Sequence, residues 1–282
     1  MTDMPKRTPI PADPPAWSES DLRHDPHATE DKAERVRAMF TAIARRYDLN
    51  NRLHSFGRDQ AWRRRVVRLA ELRPGDRILD VACGTGDLTA AFVKEGRRVG
   101  VREVIGTDFT PAMLDLARAK AERVETPHES QAAPILRYES GDAMDLNYDD
   151  ASFDVLSIAF GIRNVADPMQ ALREFRRVLA PGGRLLILEF STPRNPFVRF
   201  GNRIYCHHIM PWTATLIARD RSGAYRYLPR SVDTFMEPDA IRTALTQVGF
   251  TDITLTPMTF GVCTCYRAVV PMDVTPEQTP PG

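Results

Sequence analysis

The sequence predicts an α/β fold, a mostly parallel seven-stranded sheet with an antiparallel pair at one edge and helices on both faces. Three observations carry that expectation. From Pro74 onward, short apolar runs alternate with helical segments, the pattern of a parallel sheet with crossover helices. Those helices have legible starts: Thr110 stands before Pro111, and Asp167 before Pro168 with Gln170 at capping-box spacing. Near the end, residues 251–257 and 261–269 alternate as strands do, which suits an antiparallel edge pair.

The elements follow in order. Val36, Met39, Phe40, Ile43 and Tyr47 recur at helical spacing, which predicts an amphipathic helix over 31–48. A second helix is expected over 58–72, with Trp62, Val66 and Leu69 on one side and Arg63, Arg64, Arg65 and Arg68 around the rest; such a run reads first as a solvated face. Strands are expected at 77–81, 104–107, 135–140, 153–159 and 184–190. Helices lie between them, one over 87–93 and one halted by Pro181-Gly182-Gly183. A last helix runs over 238–247 and closes at Gly249.

The chain of 282 residues fits one substantial core. Residues 1–30, rich in proline, are expected to be a disordered tail, and residues 271–282 likewise. Between them a single domain spans 31–270, with N-terminal helices over 31–73 and an insertion over 192–234. With 38 Lys+Arg against 37 Asp+Glu, no global charge draws the chain to nucleic acid, and none is expected as a partner. Cys83, Cys206, Cys263 and Cys265 form no C-x-x-C pair, which suits reduced thiols in a cytoplasmic setting. Cys206-His207-His208 does not make a metal site, because neighbours on a helix point apart and no fourth ligand stands near. No apolar run is long enough to span a bilayer.

The chemistry concentrates at strand ends. Residues 77–81 run into Ala82-Cys83-Gly84-Thr85-Gly86 and then a helix. Gly84 and Gly86 permit a tight turn and a close backbone approach to a ligand. A dinucleotide fingerprint needs a third glycine where Thr89 stands. Asp80 ends the first strand, where a carboxylate attracts an ammonium group. Asp108 follows the second strand, from which a carboxylate accepts hydrogen bonds from ribose hydroxyls. Gly141-Asp142-Ala143 follows the third and suits an adenine edge. Three acids at successive strand ends point to S-adenosylmethionine.

Further segments resemble the ubiquinone/menaquinone biosynthesis C-methyltransferases, Rossmann-like class I enzymes. They are 40–48, Asn51, Ser55-Phe56-Gly57, 84–89, Phe160-Gly161-Ile162-Arg163-Asn164, Leu188-Glu189-Phe190-Ser191 and Tyr225-Arg226-Tyr227-Leu228. The resemblance implies cofactor contacts at Thr85, Asp108, Asp142 and Ala143, and a polyprenylated quinol methylated at a ring carbon. Some members carry a serine before the Phe-Gly pair, but Ile158-Ala159 stands here, so that hydroxyl contact is absent. In this reading Arg163 is a fixed cation for a phenolate and Asn164 orients the ring oxygen. The alternative makes Arg163 an ion-pair partner. Tyr47, Asn51 and Tyr225 are expected at the substrate, although Tyr47 equally suits the core. The insertion either covers the prenyl chain, touches the inner face of the membrane, or packs on the core. Competing readings are O- or N-methylation of another small molecule and an RNA-associated module using the arginine-rich helix.

Overall fold

The computed structural model describes residues 15–18, 20–23, 25–124, 134–210, 213 and 223–272. Strands β1 (Arg77–Val81), β2 (Glu103–Asp108) and β4 (Phe153–Ala159) are almost wholly buried, as parallel strands covered on both faces must be. Neighbouring side chains divide between two cores: Leu79 faces one with Ile105, Leu156 and Phe175, and Ile78 faces the other with Val104, Val155 and Phe92. Each such large apolar side chain contributes roughly 1.5–3 kcal/mol on burial.

With β3 (Ile135–Ser140), β5 (Leu179–Phe190), β6 (Thr251–Met258) and β7 (Cys263–Val269) added, the sheet runs β3-β2-β1-β4-β5-β7-β6. The expected edge pair is present, and β7 lies antiparallel to both β5 and β6. On one face lie α2 (Arg58–Leu69) and α3 (Asp87–Val99); on the other lie α5 (Pro168–Val178) and the helix Pro238–Gln247. Helix α4 (Pro111–Val124) links β2 to β3. Asp167 caps α5 by accepting from the backbone of Met169 and Gln170, but Gln170 sends its amide to the Met144 carbonyl instead of completing the box.

Several boundaries differ from the expectation, among them the end of α3, which runs to Val99 and not to 93. The α5 helix stops at Val178, before Pro181, because the residue preceding a proline is driven from the helical region; Leu179 already pairs with Phe153, and the Pro-Gly-Gly step becomes an irregularity inside β5. Helix α1 (Lys32–His54) runs one and a half turns past the expected end. The largest difference is at the N-terminus, where the described residues 15–18, 20–23 and 25–30 pack on the domain. Trp17 is fully buried, stacks on Tyr227 at 4.6 Å and lies under Arg35, while Asp21 pairs with Arg35 at 2.9 Å. One large aromatic anchor outweighs the segment's proline content. Residues 1–14 and 273–282, the remainder of the expected tails, lie outside the described residues.

Within the insertion, α6 (Pro196–Ile204) leads into a wide turn at Tyr205–Ile209, and the helix Ala224–Asp233 returns to pack on α1. No helix among the described residues is long and apolar enough to cross a membrane.

Candidate active site

After β3 the chain crosses back over the sheet, so β1 and β4 are neighbours whose connections leave in opposite directions. A crevice opens at such a switch point beyond the carboxyl ends of the strands. Here the two loops touch: a Cβ on Gly161 would come within 2.7 Å of the Cβ of Ala82, so glycine is the residue that lets β1 and β4 end side by side. Gly86 has φ +80° and starts α3, and a Cβ there would meet the Tyr138 hydroxyl at 2.6 Å.

The crevice forms a cavity at the carboxyl ends of the strands. Val81, Ala82 and Gly84 line it from β1, Asp108, Phe109, Thr110 and Met113 from β2 and α4, Gly141 to Met144 from β3, and Ala159, Phe160, Gly161 and Asn164 from β4. Helix α1 closes it with Ala33, Val36, Phe40 and Tyr47. Among these lining residues none is Lys, Arg or His.

Asp108 accepts the amide of Gly84 at one oxygen and that of Thr110 at the other, both at 2.8 Å. Burial still pushes its carboxyl upward despite those bonds. Asp142 accepts the Met144 amide at 2.9 Å, which shapes the loop carrying Ala143. Asp80 lies one layer below the cavity. Its two oxygens take hydroxyl hydrogens from Ser157 and Thr89, each at 2.6 Å, so the residue that stands where a dinucleotide site needs glycine holds this carboxylate. Burial pushes Asp80 up to about 6.

That shift has a sign. The folded state binds an extra proton between the ordinary value of 3.8 and about 6, so stability falls as pH rises through that window, by about 3 kcal/mol in full. Asp80→Asn is expected to stabilise the ligand-free protein at neutral pH by about 1–3 kcal/mol, to flatten its stability between those pH values, and to weaken cofactor binding. Urea unfolding across pH with calorimetric titration checks all three; unchanged stability together with unchanged affinity would remove the carboxylate from the site.

Thr85 does not line the cavity. Its hydroxyl donates to Asp48 at 2.6 Å, and Lys120 donates to Thr85, Asp48 and Asp87. The residue therefore clamps α1 onto the glycine loop, and the expected cofactor contact becomes a positioning role. Arg163 is corrected more sharply. It is 5% exposed and outside the cavity lining. Its guanidinium gives one hydrogen bond to Glu189 at 2.7 Å and one to the Phe160 carbonyl at 2.8 Å, and it lies over the Phe190 ring. Glu189 is fully buried and its carboxyl is pushed upward by that burial, against the opposing charge of Arg163. The cation is engaged in this pair and lies outside the cavity lining.

Asn164 does face it. Its amide nitrogen donates to the Phe160 carbonyl at 3.2 Å and its oxygen accepts the Tyr227 hydroxyl at 3.0 Å, which fixes the amide's orientation. Tyr47 lines the cavity, edge-on to Phe40 and hydrogen-bonded to Asn51, with its hydroxyl pushed upward by burial; Asn51 supports it from outside the lining. The side chain of Tyr225 lies outside the described residues. Among the described side chains of that motif, Tyr227 reaches Asn164, a partner the sequence reading missed because its helical phase was open. Tyr227→Phe is expected to cut turnover about tenfold, the worth of one hydrogen bond, and to leave cofactor affinity unchanged. Steady-state kinetics with calorimetry would show it, and wild-type turnover would exclude the contact.

Lys32 was also missed. It sits one turn before Val36 on the inner face of α1, donates to the Val165 carbonyl at 2.5 Å, and is pushed down to about 8 by burial. Its phase with Val36, Phe40 and Tyr47 was the available signal.

The crevice at the switch point, with Asp108 and Asp142 in its lining, Asp80 one layer below and no lining cation, suits a ligand that is itself cationic and carries a ribose and an adenine. Together with the sheet order, it defines a class I S-adenosylmethionine-dependent methyltransferase. Among solved structures, the chain resembles a SAM-dependent methyltransferase from Aquifex aeolicus (14% identity, TM-score 0.55, 79% of this chain and 97% of that one). It also resembles the [4+2]-cyclase SpnF (15%, TM-score 0.59, 86% and 97%). Those likenesses concern the fold alone, and a cyclase on it shows that the fold does not fix the reaction. The particular assignment comes from closer relatives: the model of the ubiE/COQ5 methyltransferase family matches residues 28–270, and the chain belongs to that family. It is 45% identical to the demethylmenaquinone methyltransferase of Thermus thermophilus, over 81% of this chain and 98% of that one. It is 42% identical to that of Deinococcus radiodurans (83% and 91%) and 40% to the ubiquinone/menaquinone biosynthesis C-methyltransferase UbiE of a Geobacter species (85% and 98%).

Proposed function

We propose that this chain methylates a ring carbon of a prenylated hydroquinone, with demethylmenaquinol as the acceptor, and that it meets this lipid-borne acceptor at the inner face of the membrane. The observation that carries the reading is the mixed lining of the cavity, which holds the carboxylates of Asp108 and Asp142, the rings of Phe40, Tyr47, Phe109 and Phe160, and the amide of Asn164. When bound, the cofactor supplies an electrophilic methyl group on a positively charged sulfur.

The chain's own residues supply binding and orientation. Asp108 is placed for ribose hydroxyls and the Asp142–Ala143 loop for the adenine edge. Asn164, locked by Tyr227, keeps one amide hydrogen beyond the one given to Phe160, and a donor at a quinol oxygen favours its anionic form. That phenolate would place density on the neighbouring ring carbon, to which the cofactor held by Asp108 and the Asp142–Ala143 loop would supply its methyl group, and the ring proton would pass to solvent as aromaticity returns. Helix α1, tied down through Asp48 in its second half and Lys32 at its start, lines one wall of the crevice with Ala33, Val36, Phe40 and Tyr47.

The test uses purified protein, labelled S-adenosylmethionine and, separately, prenylated naphthoquinol and benzoquinol in detergent. Faster transfer to the naphthoquinol is expected. Exclusive transfer to the benzoquinol would overturn the choice of acceptor, and transfer to neither would overturn the reading.

A further inference from the structure

Four phenylalanines stand in the open at the cavity end of the sheet: Phe197 (85% exposed), Phe260 (83%), Phe56 (79%) and Phe200 (69%). Scattered apolar residues on a surface need no explanation, but these are neither scattered nor casually placed. Phe56 and Phe260 both hold left-handed backbone, with φ of 52° and 58°, a conformation that costs a bulky residue energy and calls for a functional reason. Phe197 and Phe200 lie one turn apart on α6, and Ile204 one turn further along the same stripe.

The pieces are joined. The Phe56 ring lies 5.8 Å from Tyr205, whose hydroxyl donates to the His54 carbonyl at 2.9 Å, so the end of α1 adjoins the end of α6. Ser191, at the root of α6, donates its amide to Val262 at 3.0 Å and its hydroxyl to Gly261 at 2.9 Å, which seats the Phe260 turn beside α6. Leu53 and Phe56 continue the helix that carries Tyr47 into the cavity. On α6 itself stand the exposed arginines Arg199 and Arg203, and nearby in the chain are the exposed Arg52 and Arg194, which make only long ion pairs, to Asp87 at 3.9 Å and Asp239 at 3.7 Å, of the kind worth little on a surface.

We infer that this face, with Phe56, Phe197, Phe200 and Phe260 at its tips and arginines at its rim, docks on an anionic lipid bilayer. Apolar rings reach below the headgroups while guanidinium groups pair with phosphates. A second copy of the chain is disfavoured by the rim, which would set like charges against each other. The docking rests on the lipid-borne acceptor proposed above, since it brings the cavity mouth to the layer holding the prenyl chain.

The experiment is sedimentation with vesicles of phosphatidylcholine alone and of phosphatidylcholine mixed with phosphatidylglycerol, no quinol being present. The wild-type chain should pellet with the mixed vesicles, with roughly tenfold tighter binding than to phosphatidylcholine alone. Both Phe197→Ser/Phe200→Ser and Phe260→Asn, the latter tolerant of left-handed backbone, should lose most of that binding. Their methyl transfer to a short-chain, water-soluble quinol should stay at the wild-type rate, and transfer to prenylated quinol in vesicles should fall. Absence of wild-type binding to mixed vesicles, or wild-type binding by both variants, would overturn the inference. So would a wild-type dimer in sedimentation velocity that Phe197→Ser/Phe200→Ser converts to monomer. Vesicle binding without methylation of any prenylated quinol would overturn the acceptor and leave the docking standing.

Discussion

Asp108→Ala should lower affinity for S-adenosylmethionine by two orders of magnitude or more. A carboxylate accepting hydrogen bonds from two ribose hydroxyls contributes roughly 1.5–3 kcal/mol through each. Asp108 also ties the glycine loop, through Gly84, to the start of the segment leading into α4, through Thr110, so its removal loosens the walls as well. Calorimetric titration with a circular dichroism control separates lost affinity from lost structure. Affinity within threefold of wild type, in a folded variant, would show that the ribose does not sit at the end of β2.

Arg163→Ala acts on a different quantity. Removing one partner of a buried pair strands the other, and Glu189 would be left as an uncompensated carboxylate in the core. The expected cost is about 3–5 kcal/mol of stability, read from urea unfolding. Replacing both partners, as Arg163→Met with Glu189→Gln, should recover most of it, because a neutral pair carries no desolvation penalty of that size. Turnover should remain low in the double variant. The Phe160 carbonyl, which accepts from both Arg163 and Asn164, would lose one of its two donors, and the turn that presents Asn164 would loosen. A stable Arg163→Ala variant would mean that the pair contributes nothing; wild-type turnover in the double variant would remove Arg163 from the positioning of Asn164.

Much of this was legible in the sequence, and the exceptions have physical causes. Strand limits at Arg77–Val81 and Phe153–Ala159 matched the expectation, because a buried parallel strand is a largely apolar run with sharp ends; Ile135–Ser140 matched too, although this edge strand has no buried residue. Asp108, Asp142, Ala143 and Asn164 fell into the cavity since each stands at or within a few residues of the carboxyl end of a strand. Arg163 and Thr85 follow strands too, yet their side chains turn toward Glu189 and Asp48. A motif places a backbone, whereas the direction of a side chain depends on partners far along the chain. The same distance hid Tyr227 and Trp17, which meet each other across more than two hundred residues. Asp80 was read as a ligand for an ammonium group and is instead shielded by two hydroxyls, so any pull on that group acts through the layer above.

The most direct measurement is the position of the transferred methyl group. With S-adenosylmethionine labelled with carbon-13 at the methyl and prenylated naphthoquinol as acceptor, the product spectrum should show the label as a methyl on a ring carbon, with the ring proton at that carbon gone. A label found on a quinol oxygen would contradict it, because the chain would then be an O-methyltransferase and the phenolate would be its nucleophile instead of the source of density for carbon.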